Sequence, residues 1–290
     1  MSFPASATDP RLDPRVSELI AAGSLEISPR ELHRLPEVAA MLPANSCIYI
    51  PSLPGLPLTR TLEAVAAVRA AGLDPVPHVS ARRIRDRDEF REFLKKAASQ
   101  YGVHRVLLIG GDEPRPKGPF EDSLKVLEQG VLKECGIREV GVGGYPEGHP
   151  RIPLNGLDRA LQRKIELARE QNVGVYLVTQ FCFSPQRVVD YCAGLARTRP
   201  ELPVYVGIAG PTDAVALARY AQRCGVSVSL RALRNLGAGI AKLVTHTDPR
   251  DQLVALARYS SQRGQSNVVG VHLYSFGGAV PTASWMREQM

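Results

Sequence analysis

Glu26, His78, Asp112, Tyr145, Gln180 and Tyr274 each stand at or near the end of a short apolar run. Carboxyls and imidazoles move protons near neutral pH when their surroundings shift them. A glutamine amide offers both a donor and an acceptor, which suits the edge of a polar heterocycle. Asp112 follows Gly110-Gly111, and glycines let backbone approach a flat ligand closely. The plainer role for Asp112 is to start the next turn. The run Gly143-Gly144-Tyr145-Pro146-Glu147-Gly148-His149-Pro150 surrounds an aromatic, an acid and an imidazole with residues that shape a loop. Loops on a rigid scaffold tend to carry function. Further on, Asp158, Arg163 and Lys164 could supply an acid for a ribose hydroxyl and a clamp for phosphate. They could equally be a solvated helix face. Thr179-Gln180-Phe181-Cys182-Phe183 sets an amide among aromatics.

These residues are far apart in sequence, so a fold must bring them together. Strand-like runs rich in Val, Ile and Leu fall near 24–28, 47–51, 74–80, 105–110, 139–145, 175–181, 204–209 and 268–276. Helical spacing lies between them: Thr61 to Ala71 before Gly72, Asp88 to Ala98, Glu121 to Cys135 before Gly136, Leu157 to Arg169, Pro185 to Ala196, and Asp213 to Arg223. Strands alternating with helices imply a parallel sheet with right-handed crossovers. The pattern predicts an α/β fold, a closed (β/α)8 TIM barrel, whose strand C-termini would gather the polar residues at one mouth. An open sheet for dinucleotides would place GxGxxG after the first strand, and none is there. The stretch 225–265 exceeds one crossover and predicts extra helices, Leu230–Val244 and Pro249–Arg263, before the last strand. Residues 1–15 read as a flexible N-terminal segment and 16–290 as one catalytic barrel.

Composition narrows the function classes. The 290 residues are 44% hydrophobic, enough for a barrel core. The net charge of +7 is dispersed and aromatics make up 6%, which argues against nucleic acid. The densest basic cluster, Arg82, Arg83, Arg85 and Arg87, is mixed with Asp86 and Asp88 and reads as a solvated loop, or as a weak lure for anions. The five cysteines make no CxxC pair, so no metal site is expected, and free thiols in a reducing compartment are. No apolar run approaches a membrane span of about 18 residues. The start has no basic region leading into an apolar run, so a cytoplasmic location is expected. His33, His104 and His246 read as surface or satisfied core residues.

In order along the chain, these motifs resemble the methylenetetrahydrofolate reductase family. Leu25-Glu26-Ile27-Ser28-Pro29 is similar to its first-strand FEFFPP, Pro77-His78-Val79-Ser80 to PHLT, and Gly110-Gly111-Asp112 to RGD. Gly144-Tyr145-Pro146-Glu147-Gly148-His149-Pro150 resembles YPExHP, the most specific match. Thr179-Gln180-Phe181-Cys182-Phe183 resembles TQFFF, and His272-Leu273-Tyr274 resembles HFY. The chain departs from the pattern at Gly110, where the family has arginine, and at Ser275-Phe276-Gly277-Gly278, where it has TLNR. Asp158 is one residue off the family's ribose acid when Arg163-Lys164 is matched to its RK pair.

The resemblance implies a β8α8 flavoenzyme using FAD, with NADH or NADPH as the pyridine nucleotide and a tetrahydrofolate derivative as substrate. It assigns Glu26 and Asp112 to catalysis. His78, Gly111, Asp112, Tyr145, His149, Asp158, Arg163 and Lys164 would hold the cofactor, and Asp112, Gln180, Phe183 and Tyr274 the folate. It leaves the physiological direction and a homo-oligomer open. A barrel that binds folate without turnover, and a flavin-independent reductase of the same substrate, are the rival readings.

Overall fold

The computed structural model describes residues 14–211, 249–261 and 266–290. Helix α1 (Pro14–Ala21) leads into strand β1 (Ser24–Glu26), a 3-10 turn over Pro29–Arg34 and the short α2 (Leu35–Ala39). Then follow β2 (Cys47–Ile50), α3 (Leu58–Ala70), β3 (Asp74–Ser80), α4 (Arg87–Tyr101), β4 (Arg105–Ile109) and α5 (Ser123–Leu127). The chain continues with β5 (Glu139–Gly144), α6 (Leu154–Glu170), β6 (Gly174–Thr179), α7 (Pro185–Thr198) and β7 (Val204–Ala209). The last described elements are α8 (Arg250–Ser260), β8 (Val268–Tyr274) and α9 (Ala279–Gln289). The strands pair in sequence order, all parallel, and β8 closes on β1 through Ser24↔His272 and Leu25↔Leu273. This is the expected (β/α)8 barrel.

Local sequence explains where the elements stop. The Asp86 carboxylate accepts the Glu89 N–H at 2.8 Å and starts α4, and Gly102 ends it at φ 65°. The continuous helix expected from Glu121 to Cys135 is corrected: α5 ends at Leu127, and only a 3-10 turn forms over Lys133–Cys135. Gly130 sits between them at φ 70°, a left-handed conformation that a helix cannot pass through. Gly136 still provides the stop, at φ 87°. α8 realises the helix expected at Pro249–Arg263, whereas Asp213–Arg223, Leu230–Val244, Cys224 and His246 lie outside the described residues. Pro14 and Arg15, read as part of the leading segment, already belong to α1.

Two apolar layers hold the barrel. The outer one packs strand residues such as Leu25, Val79, Val106, Val140 and Leu273 against the helices. Inside the barrel lie Tyr49, Val76, Leu107, Tyr176 and Val178. Gly141 makes room there, because a Cβ at that position would press on the Tyr176 ring at 2.7 Å. The floor, at the strand N-termini, is ionic. Arg105 holds Glu139 at 2.6 and 2.9 Å, lies over the Tyr176 ring at 5.0 Å and reaches Cys47 Sγ at 3.8 Å. Arg69 pairs with Asp74 beside it. Cys135, Cys182 and Cys192 are buried and Cys47 is half-buried, and none of the four forms a disulfide among the described residues.

Candidate active site

Above the floor, Tyr49 marks the change from structure to chemistry. Its hydroxyl donates to Tyr176 Oη at 3.0 Å, while its ring meets the His78 edge at 5.8 Å and His272 at 4.5 Å. His272 Nδ1 lies 2.8 Å from Ser24 Oγ, closing the ring of contacts to β1. Next along β1 comes Glu26, whose Oε2 is 3.8 Å from His78 Nε2, beyond hydrogen-bond reach. Burial, assisted by the Glu31 carboxylate, pushes the Glu26 carboxyl up to about 8. Burial pulls His78 down to about 3 and lowers His272 as well, with His78 adding to the effect on His272. At neutral pH the Glu26–His78 contact is therefore a neutral acid beside a neutral imidazole, not an ion pair.

Among the described residues, His78 Nε2, His272 Nε2 and Ser80 Oγ are buried without a hydrogen-bond partner. Such groups are costly unless something completes them.

The next sector of the mouth is built by the loops after β4 and β5. Gly111 adopts φ 97°, and a side chain there would collide with Ser80 Oγ. A Cβ on Gly110 would meet only open space. Asp112 follows and is exposed. Its charge reaches Tyr145 and His149: it reinforces the burial that raises the Tyr145 hydroxyl, and opposes the burial and Arg151 that lower the His149 imidazole. The two rings meet edge-on at 5.3 Å, and the Tyr145 N–H donates to Tyr191 Oη at 3.3 Å.

The third sector is aromatic. The Gln180 N–H donates to Gly144 O at 2.8 Å, so the amide side chain is carried where β5 and β6 end. Phe181 contacts Phe183 at 5.7 Å, Tyr274 at 5.8 Å and Phe276 at 5.0 Å. Tyr274 donates to Thr179 O at 3.0 Å and stacks on Phe276. Glu147 Oε1 lies 3.1 Å from Cys182 Sγ, tying the Tyr145 loop to this wall.

The structure thus gathers Glu26, His78, Gly111, Asp112, Tyr145, His149, Gln180, Phe183 and Tyr274 at strand ends or in the loops that follow. Asp158, Arg163 and Lys164 instead run along α6. Asp158 pairs with Arg199 at 2.7 Å, and Arg163 pairs with Glu166 and Glu170 at 3.3 and 3.1 Å. Arg163 lies roughly 14 Å along the helix from its start. Lys164 is half-buried, and burial lowers its amine against the pull of Asp122. Sequence reasoning missed Tyr49, Ser24 and Glu31, whose roles depend on neighbours in space. It also read Arg82 and Arg83 as solvated, whereas Arg83 is 7% exposed and both grip the Asp112 loop.

Among the described residues, no three His, Cys, Asp or Glu side chains are grouped to hold a metal, and no helix is long and apolar enough to cross a membrane. A surface cleft of about 520 Å³ lined by Lys95, His104, Glu134, Cys135 and Arg138 lies at the opposite barrel end and contains none of the predicted site residues.

Comparison with known proteins points to the same family as the motifs. The methylenetetrahydrofolate reductase family model matches residues 55–276. The 5,10-methylenetetrahydrofolate reductase of Pectobacterium carotovorum is 26% identical over 161 residues, covering 54% of this chain and 50% of that protein. Methylenetetrahydrofolate reductase 2 of Saccharomyces cerevisiae is 25% identical over 137 residues, covering 44% of this chain and 22% of that protein. The chain therefore spans half or less of the length of these curated relatives. Dihydropteroate synthase from Thermus thermophilus superposes with a TM-score of 0.50 at 14% identity, covering 92% of this chain and 91% of that one, a likeness of fold. With most of the chain matched by one family model, and with the mouth built from the motifs in order, this chain belongs to the methylenetetrahydrofolate reductase family.

Proposed function

We propose that the chain reduces 5,10-methylenetetrahydrofolate to 5-methyltetrahydrofolate with hydride from NADH or NADPH, using FAD. The observation that carries this reading is the Glu26 carboxyl, half-buried at the mouth 3.8 Å from His78 Nε2, where desolvation pushes it up to about 8 and so favours its protonated form at neutral pH. The substrate's methylene carbon bridges N5 and N10. Opening the C–N10 bond needs a proton on N10 and leaves an iminium at N5. Glu26 has the proton and the neutral-pH acidity for that transfer. Asp112, across the mouth, would favour the iminium by charge and bind the aminopyrimidine edge. Gln180 would fix the pterin by its amide, and Phe183 and Tyr274 would wall the site.

The residues also fit a flat cofactor. His78 Nε2 and Ser80 Oγ are buried and unsatisfied, and Gly110 and Gly111 leave backbone bare beside them. His78, Gly111, Asp112, Tyr145 and His149 would hold the flavin ring system and its chain, with Asp158, Arg163 and Lys164 as candidates for its ribose and phosphates. Bound there, FAD would accept hydride from the pyridine nucleotide and deliver it to the folate carbon. His78 stays neutral and so adds no charge beside it.

The test is the absorbance spectrum of the purified chain, followed by NADH oxidation with 5,10-methylenetetrahydrofolate. A flavin spectrum with folate-dependent turnover is expected. Folate binding without turnover would make the chain a folate-binding barrel. Turnover by a colourless protein without added FAD would point to direct transfer from NADH.

A further inference from the structure

The loop over residues 110–122 carries Asp112 from β4 to α5, and it contains no strand or helix. Pro114, Pro116, Pro119 and Gly118 interrupt it. Its position must come from outside, and the turn after β3 supplies it. The Arg82 N–H donates to Gly110 O at 3.0 Å, and Arg82 O accepts the Lys117 N–H at 2.9 Å. The Arg82 guanidinium donates to the carbonyls of Glu113, Glu121 and Pro114 at 2.7, 2.8 and 3.1 Å. Gly118 passes so close to the carbonyls of Ile84 and Arg85 that no side chain would fit.

Arg83 does something different. Its side chain is 6% exposed and ion-pairs with the Glu113 carboxylate. Its other arm donates to Ser52 O and, at 3.1 Å, to Ser52 Oγ. Ser52 follows β2, so one guanidinium joins the segments after β2, β3 and β4. Glu113 is the residue next to Asp112. Glu113 is held at its carboxylate by Arg83 and at its carbonyl by Arg82, and across the planar peptide this restrains the backbone of Asp112. The guanidinium holds its donors in a fixed planar fork, so it serves two acceptors on different loops with less loss of freedom than a lysine ammonium would.

We propose that Arg83 is a positioning residue for Asp112: it brackets three mouth loops through Glu113 and Ser52, and so sets where the Asp112 carboxylate stands during the folate step. This rests on the folate reading of the site. Removing Arg83 alone would leave the half-buried Glu113 charge without its partner, so the informative variant neutralises both, Arg83→Met with Glu113→Gln.

The experiment uses the full chain with FAD added and 5,10-methylenetetrahydrofolate as substrate. The paired variant is combined with Asp112→Asn in a double-mutant cycle. In the native background, kcat should fall roughly 10–100-fold, the scale for a misplaced catalytic group. With Asp112→Asn in place, the same pair should cost less than about threefold, because groups acting as one unit are not additive. Equal losses in both backgrounds, or no loss in the native one, overturn the bracket.

A second measurement needs no turnover. Trypsin cleavage after Lys117 should be slow in the native chain and about tenfold faster in the paired variant, with the rest of the barrel intact. If the native chain turns over no folate, the folate reading falls and trypsin judges the bracket by itself. Unchanged protection at Lys117 then overturns it.

Discussion

The two ends of the barrel interior treat polar groups in opposite ways. At the floor, the ionic side chains answer one another: Arg105 with Glu139, and Arg69 with Asp74. At the mouth, buried His78 Nε2, His272 Nε2 and Ser80 Oγ have no partner among the described residues, and Glu26 is held away from its ordinary ionisation. Tyr49 touches both, with its hydroxyl toward Tyr176 and its ring toward the two histidines. The floor's ionic side chains are paired with one another, although Asn267 Oδ1, just before β8, is buried without a partner among the described residues. The mouth is left open to a ligand, and it bears the cost of desolvated groups to do so.

The sharpest way to break this comparison is Glu26→Gln, which keeps the shape and removes the proton. Folate turnover should fall by roughly 10²–10⁴-fold, while NADH oxidation by a flavin-loaded protein without folate should survive, since it needs no proton at N10. Loss of both alike would make Glu26 a structural residue. On the proposed function, the native chain should also lose folate turnover as pH rises through about 8, where Glu26 loses its proton.

Stability offers a second readout of the same group. The Glu26 value is raised from 4.5 to about 8, so the folded state holds the proton more tightly. Its contribution is therefore fully present below about pH 4.5 and lost as pH rises through about 8, with an upper bound of about 5 kcal/mol. His78, lowered from 6.5 to about 3, acts oppositely: its contribution is present above about 6.5 and lost as pH falls toward 3. Because the windows overlap, the useful comparison is urea unfolding of Glu26→Gln against the native chain at pH 5 and pH 8.5. The variant should gain relative stability only at the higher pH. Equal differences at both would mean that the carboxyl is not desolvated.

Next in size is the contrast between a charge and an amide. Asp112→Asn should slow the folate step at saturating folate by roughly 10–10³-fold, because charge acts on the developing iminium. Gln180→Ala should mainly weaken folate binding, by about tenfold for one lost hydrogen bond, and leave a smaller defect once folate saturates. Rapid mixing at saturating folate separates them. A slower Gln180→Ala would reverse the two roles.

What could be read from sequence follows the same division. All eight strands lie within a residue or two of the apolar runs, because a parallel strand buried on both faces must be nearly all apolar. Mouth residues such as Glu26 and Asp112 were visible as polar interruptions at the ends of those runs. Arg83 was not, since a charged cluster looks solvated until Glu113 is known to lie across from it. The break after Leu127 was hidden for a related reason: the apolar spacing of 121–135 continues through Gly130, and only the backbone angle ends the helix. Pairings that cross between strands, such as Ser24 with His272, leave no periodic trace.

The floor makes the opposite prediction to the mouth. Arg105→Met should lower unfolding stability by about 1–2 kcal/mol, through the lost charge-assisted pair with the part-exposed Glu139 and the lost stack on Tyr176. Activity per folded molecule should change little, because Tyr49 and Tyr176 separate Arg105 from the reacting groups. A kcat loss comparable to that of Asp112→Asn would erase the division between the two ends.

The smallest expected effect tests how far the mouth extends along α6. Arg163 is already engaged by Glu166 and Glu170 on its own helix, in exposed pairs worth little. Lys164, one residue on, is half-buried, makes no ion-pair contact among the described residues, and feels Asp122 only through space. A phosphate would gain more from Lys164, whose amine is desolvated and unspent, than from Arg163, which must first leave two carboxylates. Lys164→Met should therefore weaken FAD about fivefold to tenfold, close to 1 kcal/mol, and Arg163→Ala less than about twofold, measured by fluorescence titration of the apoprotein. Equal small effects would place the cofactor's phosphates elsewhere and confine the mouth to the strand ends. A larger effect at Arg163 would mean that its pairs with Glu166 and Glu170 open when the cofactor binds.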